Sequence, residues 1–370
     1  MIKVMSVFGT RPEAIKMCPL IKKMKEYKEI ESIVCVTAQH REMLDQVLDV
    51  FEITPDYDLD IMKTRQSLNG ITTKILDGMD KVLTEANPDI VLVHGDTTTS
   101  FAAALAAFYK QIPVGHVEAG LRTWDKYSPF PEEMNRNLTG KIAEMHFAPT
   151  LLNKSNLENE NIKENIFVTG NTVLDSFETT VKENYSFKEE CLNKMDFSKG
   201  RYVLLTAHRR ENLGENLENM CNAVKRLVNE LEDINVIYPV HLNPAVQQTV
   251  KSILSDIDRV HLINPIDVTD MHNLLTKCNL LLTDSGGLQE EGPSFNIPVL
   301  VLRTETERPE AVEAGTVKVV GVNEEDIYSY AKTILIDSNE YSKFLGVENP
   351  YGDGTASEKI IDAILQRFKA

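Results

Sequence analysis

Two doubly wound α/β domains are what this sequence predicts, and three observations carry the prediction. Short, nearly continuous apolar runs alternate with helix-like stretches, the pattern of parallel strands covered on both faces. The alternation breaks near residue 200 and then starts again. With 370 residues, the chain is also long enough for two or three domains.

In the first half, "KVMSVF" (3–8), "SIVCVT" (32–37), "DIVLVHG" (89–95), "IPVGHVE" (112–118) and "MHFAPT" (145–150) read as buried strands. Helix-like stretches such as 12–27 and 97–109 lie between them. Pro12 suits a first helical turn, whereas Pro19 should kink that helix or end its first segment. In the second half, "YVLLTA" (202–207), "VIYPVH" (236–241), "VHLIN" (260–264), "LLLTD" (280–284) and "PVLVLR" (298–303) repeat the pattern. The expected organisation is a domain over 1–170, a polar linker over 171–200 and a second domain over 201–355. The amphipathic segment 356–370 follows the Gly-rich "NPYGDGT" and is expected to return to the first domain.

Composition narrows the function. Hydrophobic residues make up 42% of the chain, as in ordinary globular proteins. A formal net charge of −17 argues against a nucleic-acid partner, which needs a basic face. It also means that an anionic substrate must be held by local positive groups. The five cysteines (Cys18, Cys35, Cys191, Cys221 and Cys278) form no CxxC pair and read as buried free thiols of a reducing cytosol. No signal peptide is legible, and "FAAALAAFY" is too short to span a bilayer, so a cytoplasmic protein without membrane insertion is expected. Asp58 and Asp60 in "DYDLD" read as solvated turn carboxylates. His94, His116, His208 and His241 are too scattered for a metal site.

Ligands of open parallel sheets bind beyond the carboxyl ends of the strands. The residues there are rich in chemistry: Arg11, His40 and Arg41, Asp96, Glu118, then His208 and Arg209, His241, and Ser285-Gly286-Gly287. In "TDSGGLQEE" the small residues let backbone N–H groups approach an anion, and a helix would follow. No Lys-Ser/Thr pair follows the glycines, so this is not a P-loop. A phosphate or diphosphate fits the loop, and Glu291 could accept hydrogen bonds from ribose hydroxyls. An ordinary Ser N-cap at a tight turn would read the same way. Glu290 reads as a helix-surface charge. Arg11 and Lys16 of "GTRPEAIK" could neutralise a diphosphate, or simply sit in a common helix start.

Ten motifs in order, "FGTRPEAIKM", "TAQHREMLDQV", "VHGDTTTS", "GHVEAGLRT", "PFPEEMNR", "HRRENLG", "YPVHLNP", "TDSGGLQEE", "TERPEA" and "NPYGDG", resemble the bacterial non-hydrolysing UDP-N-acetylglucosamine 2-epimerases. The resemblance runs from residue 2 to the final helix. It implies two Rossmann-like domains facing across a cleft in the glycosyltransferase-B architecture, a homodimer, and no metal or nicotinamide cofactor. It also implies interconversion of UDP-N-acetylglucosamine and UDP-N-acetylmannosamine through elimination to 2-acetamidoglucal, feeding surface polysaccharide.

Carried over residue by residue, the resemblance assigns acid/base work to Asp96, Glu118 and Glu132, with His208 near the leaving diphosphate. It assigns UDP to Arg11, Lys16, Ser285, Gly286, Gly287, Glu291 and Arg308, with backbone near Ile266 and Met271 receiving uracil. Gln39, His40, Arg65, Gln66, Arg209 and His241, together with Glu132, match a second, activating UDP-N-acetylglucosamine site.

Overall fold

The computed structural model describes residues 1–38, 41–62 and 66–369. The chain divides into two units, one formed by Met1–Thr179 with the segment from Tyr351 onward, the other by Thr180–Pro350. Among the described residues, the first unit carries seven parallel strands: β1 (Ile2–Phe8), β2 (Ile30–Val36), β3 (Tyr57–Asp58), β4 (Ile90–His94), β5 (Val114–Val117), β6 (Met145–Ala148) and β7 (Ile166–Val168). Their order is β3-β2-β1-β4-β5-β6-β7. The second unit carries β8 (Arg201–Thr206), β9 (Ile234–Pro239), β10 (Val260–Ile263), β11 (Leu280–Thr283), β12 (Val299–Val301) and β13 (Val317–Val319), in the order β10-β9-β8-β11-β12-β13.

Both sheets therefore reverse direction between their first and fourth strands. That places a topological switch point between β1 and β4, and another between β8 and β11, where such folds bind ligands. The central strands are buried throughout, as their unbroken apolar runs require: β4 in the first sheet and β11 in the second. Three strands escape a reading of the sequence. β3, β7 and β13 span two or three residues at sheet edges and are only partly buried; β3 and β13 carry no continuous apolar run, and the run of β7, Ile166-Phe167-Val168, is only three residues long. Asp58 is thus the end of an edge strand rather than part of a turn, and its carboxylate pairs with Arg41.

The first helix removes one of the two outcomes expected at Pro19, the end of a first segment. It runs from Arg11 to Met24 with Pro19 inside it, and Pro19 neither ends nor divides it. Proline removes one helical hydrogen bond. Here the buried face of Met17, Leu20, Ile21 and Met24 outweighs that loss by packing in one core with Ile360, Ile361 and Ile364 of the C-terminal helix Ala356–Lys369. Ion pairs flank this contact, Lys23–Glu358 at 2.9 Å and Arg367–Glu144 at 3.6 Å. Residues 171–179 pack with the first unit, and Asn171 donates its backbone N–H to Tyr351 O at 2.7 Å. No helix among the described residues is long and apolar enough to cross a membrane.

Because Ile364 is fully buried in the core that the C-terminal helix completes, Ile364→Ala should destabilise the first unit by about 2–5 kcal/mol. Denaturant unfolding followed by a probe in each unit should show the first unit's transition moving to lower denaturant while the second's stays in place.

Candidate active site

At the first switch point, the turn after β1 is held from within. Gly9 admits no side chain, since a Cβ there would lie 2.0 Å from Thr37 Oγ1 and 2.7 Å from Thr99 Oγ1. Glu13, only 2% exposed, accepts hydrogen bonds from Gly9 N (3.0 Å), Thr10 N (2.8 Å) and Thr10 Oγ1 (2.8 Å). Its other oxygen accepts from Thr97 Oγ1 at 2.7 Å, across the switch point. Burial pushes the Glu13 carboxyl up, and these donors pull it back. Glu13 was not among the expected site residues, although the Thr-x-x-Glu spacing of a capping box marks it in the sequence. Its effect is to fix Arg11, at the start of the first helix, relative to Asp96, one residue before Thr97.

Asp96 follows β4. Its carboxylate accepts from Arg136 Nη2 at 2.7 Å, and its backbone carbonyl from Asn135 Nδ2 at 3.0 Å. Burial, aided by the neighbouring Glu118 and Glu132 carboxylates, pushes its acid up from 3.8 to about 6, against the pull of Arg136 and Lys16. Glu132 opens the helix Glu132–Ile142, from which Asn135 and Arg136 also project. Asp96, Glu118 and Glu132 are thus close enough to interact electrostatically.

Glu118 follows β5 with φ +60°, a left-handed conformation uncommon for a residue bearing a side chain. Its carboxylate pairs with Lys16 and accepts from Asn171 Nδ2 at 2.9 Å. Gly95 lets it approach the β4 loop, where a Cβ would stand 3.2 Å from Glu118 Oε2. His94 Nε2 lies 3.7 Å from the same oxygen. Burial lowers His94 to about 4 and His116 to about 3, so both imidazoles are neutral core groups. Lys16, expected at the diphosphate, pairs here with one of the carboxylates. Asn171 carries no motif signal and was missed; Arg136 closes the motif "PFPEEMNR" but was given no role.

The second switch point repeats the device with Asp284. This fully buried carboxylate accepts from the backbone N–H groups of His208 and Arg209, both at 2.8 Å, and from Asn212 Nδ2 at 3.1 Å. Arg209 Nε donates to its backbone carbonyl at 3.0 Å. The loop after β8 is thereby fastened to the end of β11. The His208 ring stacks on His241, centroids 5.5 Å apart and planes 8° from parallel, with Nδ1 3.5 Å from Asp284 Oδ1. Burial lowers the His208 pKa, and His241 and Arg209 add to this, while Asp284 opposes it.

Ser285 is the N-cap of the short helix Gly286–Glu291. A Cβ on Gly286 would sit 3.5 Å from Arg209 Nη2 and 3.8 Å from Arg308 Nη2, so two guanidinium groups converge on backbone kept open by glycine. This is a local concentration of positive charge of the kind a chain of net charge −17 needs to hold an anion. Arg308 is itself positioned by Glu290 at 2.5 Å. Glu290 is therefore no surface charge: it is 1% exposed and devoted to that guanidinium. Glu291, with 14% of its side chain exposed, accepts from His272 Nε2 at 3.1 Å. Ile266 and Met271 lie at and just after the turn into the helix Val268–Leu275.

Of the residues matched to a second sugar-nucleotide site, Gln39, His40 and Arg65 lie outside the described residues. Gln66 belongs to the first unit and accepts from Lys74, while Arg209 and His241 stand beside His208 in the second. Among the described residues, no group of three or more His, Cys, Asp or Glu could hold a metal ion.

Comparison with known proteins identifies the family and the fold. The family model described as UDP-N-acetylglucosamine 2-epimerase matches residues 22–365. The UDP-N-acetylglucosamine 2-epimerase of Bacillus subtilis is 59% identical over 368 residues, spanning 99% of this chain and 96% of its own length. A solved UDP-N-acetylglucosamine 2-epimerase superposes with a TM-score of 0.91 at 56% identity, covering 100% of this chain and 96% of the other. The Neisseria meningitidis enzyme, solved with UDP-N-acetylglucosamine bound, has a TM-score of 0.89 at 48% identity, covering 99% and 100%. A glycosyltransferase of kitacinnamycin shares the fold at 10% identity, with a TM-score of 0.68 and coverage of 99% and 98%. The two Rossmann-like units are thus those of the glycosyltransferase-B architecture. With a family match over most of its length and relatives of more than half identity end to end, the chain belongs to the UDP-N-acetylglucosamine 2-epimerase family.

Proposed function

We propose that the chain interconverts UDP-N-acetylglucosamine and UDP-N-acetylmannosamine by eliminating UDP and adding it back. The observation that carries this reading is the carboxylate group at the ends of β4 and β5, with Asp96 pushed up to about 6, near the pH at which acid–base catalysis works best. The C2 hydrogen of the sugar is not next to a carbonyl, so its removal alone would leave an unstabilised carbanion. In the elimination, the C2–H electron pair becomes the C1=C2 bond of 2-acetamidoglucal. The C1–O pair leaves with UDP, and a carboxylate takes the proton. Protonation of the opposite face of C2 and return of UDP to C1 give the epimer with no net oxidation.

In this reading Asp96, Glu118 and Glu132 move the protons. Arg11, Lys16, His208, Arg308 and the backbone of Ser285, Gly286 and Gly287 receive the charge that grows on the diphosphate, usually a large part of catalysis. The Lys16 ammonium has three donors, enough to serve Glu118 and a phosphate oxygen together. Glu291 takes the ribose hydroxyls, and backbone near Ile266 and Met271 takes uracil. The relative solved with UDP-N-acetylglucosamine bound supports the substrate. The proposal extends to a cytoplasmic homodimer supplying N-acetylmannosamine to surface polysaccharide. It also includes activation by a second UDP-N-acetylglucosamine at Gln39, His40, Arg65, Gln66, Glu132, Arg209 and His241.

Reaction in deuterated water should place deuterium at C2 of the product, read by mass spectrometry; product that keeps its original hydrogen would overturn the elimination. The rate of the same reaction should rise sigmoidally with UDP-N-acetylglucosamine, and a plain hyperbola would remove the second site.

Asp96→Asn, Glu118→Gln and Glu132→Gln should each lower kcat by about 10²-fold while UDP affinity, measured by calorimetry, stays near that of the parent. Glu291→Ala should instead weaken UDP binding. It is a cleaner probe than Arg308→Ala, which leaves the buried Glu290 without its guanidinium and should also destabilise the second unit by about 3 kcal/mol or more.

Asp96 gives a pH signature of known sign. Its acid rises from 3.8 to about 6 on folding. Between those values the folded chain holds a proton that the unfolded chain has lost, so this group's contribution to stability falls as pH rises. The unfolding midpoint of Asp96→Asn, measured relative to the parent, should therefore improve from pH 4 to pH 7.

A further inference from the structure

Glu291 does not stand alone. Its Oε2 is 3.1 Å from His272 Nε2, and the other ring nitrogen, Nδ1, is 2.7 Å from Thr180 Oγ1. His272 and Thr180 are both fully buried. A carboxylate oxygen only accepts, so Nε2 donates to Glu291, while the other ring nitrogen is hydrogen-bonded to the Thr180 hydroxyl. The result is a buried chain of hydrogen bonds that links Thr180, His272 and Glu291. Thr180 is itself fastened, its carbonyl accepting from Asn273 Nδ2 at 2.7 Å and the Lys182 N–H donating to Asn273 Oδ1 at 3.0 Å.

We infer that His272 is a positioning residue for ribose recognition: it aims the Glu291 carboxylate at the ribose hydroxyls, and Thr180 holds the imidazole ring in place. The inference rests on the assignment of Glu291 to the ribose. The chemistry is that of an oriented acceptor. A carboxylate left to rotate spreads its two oxygens over many directions and gains less from a hydroxyl than one whose plane is set by a buried donor. His272 reaches no ligand itself, because Glu291 uses one of its nitrogens and Thr180 the other.

The test compares UDP with its 2′-deoxy and 3′-deoxy analogues by calorimetry on the full chain. The parent should bind UDP about tenfold more tightly than at least one analogue, the scale of a hydrogen bond to a charged group. His272→Leu, which keeps an apolar side chain of useful volume but no donor, should cut that preference to about threefold or less. His272→Gln, whose amide can donate at similar reach, should retain it. A Leu variant that keeps the full preference, while Glu291→Ala loses it, overturns the inference. Glu291→Ala that keeps the preference overturns the ribose assignment instead, so the two failures are distinguishable. Should the Leu variant not fold, Thr180→Val, nearly isosteric, decides the matter: a reduced preference supports the chain of hydrogen bonds, and an unchanged one overturns it.

Discussion

One constraint organises both halves of this molecule: a buried carboxylate spans the place where the strand order reverses. Glu13 holds the turn after β1 and reaches Thr97 beyond β4, and Asp284 at the end of β11 holds the loop after β8. Loops leaving parallel strands have backbone N–H groups with no neighbour in the sheet. Left unpaired and buried, each would cost on the order of 1–3 kcal/mol. Answering them with a carboxylate satisfies several at once and fixes the direction of the side chains that follow. Arg11 and Asp96 depend on the first clamp, His208 and Arg209 on the second.

The fold was legible because central strands of parallel sheets carry unbroken apolar runs, and the site because polar residues cluster right after them. What was not legible had physical causes. β3 and β13 are too short and too exposed to leave an apolar run, and the three apolar residues of β7 stand alone at a sheet edge. Pro19 was given the weight of a local rule, whereas the packing of Met17, Leu20 and Ile21 decided the matter. Glu290 looked like a surface charge because its partner Arg308 lies 18 residues away in sequence, and no local pattern announces such a pair. Asn171, Arg136 and His272 touch site residues only through tertiary structure. Glu13 was the exception: its capping-box spacing was present and could have been used.

Electrostatics divides the work between the units. The first gathers acid groups, and their mutual repulsion helps to raise Asp96. The second gathers guanidinium groups over Gly286, within a chain whose overall charge is strongly negative. An anionic ligand therefore meets attraction at one small patch, where Debye screening at physiological salt, with a length of about 8 Å, mutes the repulsion from distant surface charge.

The chain's path has a further consequence. Residues 180–350 form a complete unit that interrupts another, whose helix Ala356–Lys369 comes after it in the chain. Synthesis therefore passes through the whole inner unit while the outer one still shows the apolar face of its first helix. That order inverts the usual amino-first maturation of two-domain chains. The time spent with Met17, Leu20 and Ile21 uncovered is set by translation of the whole second unit, and over that interval a nascent chain has most need of a chaperone.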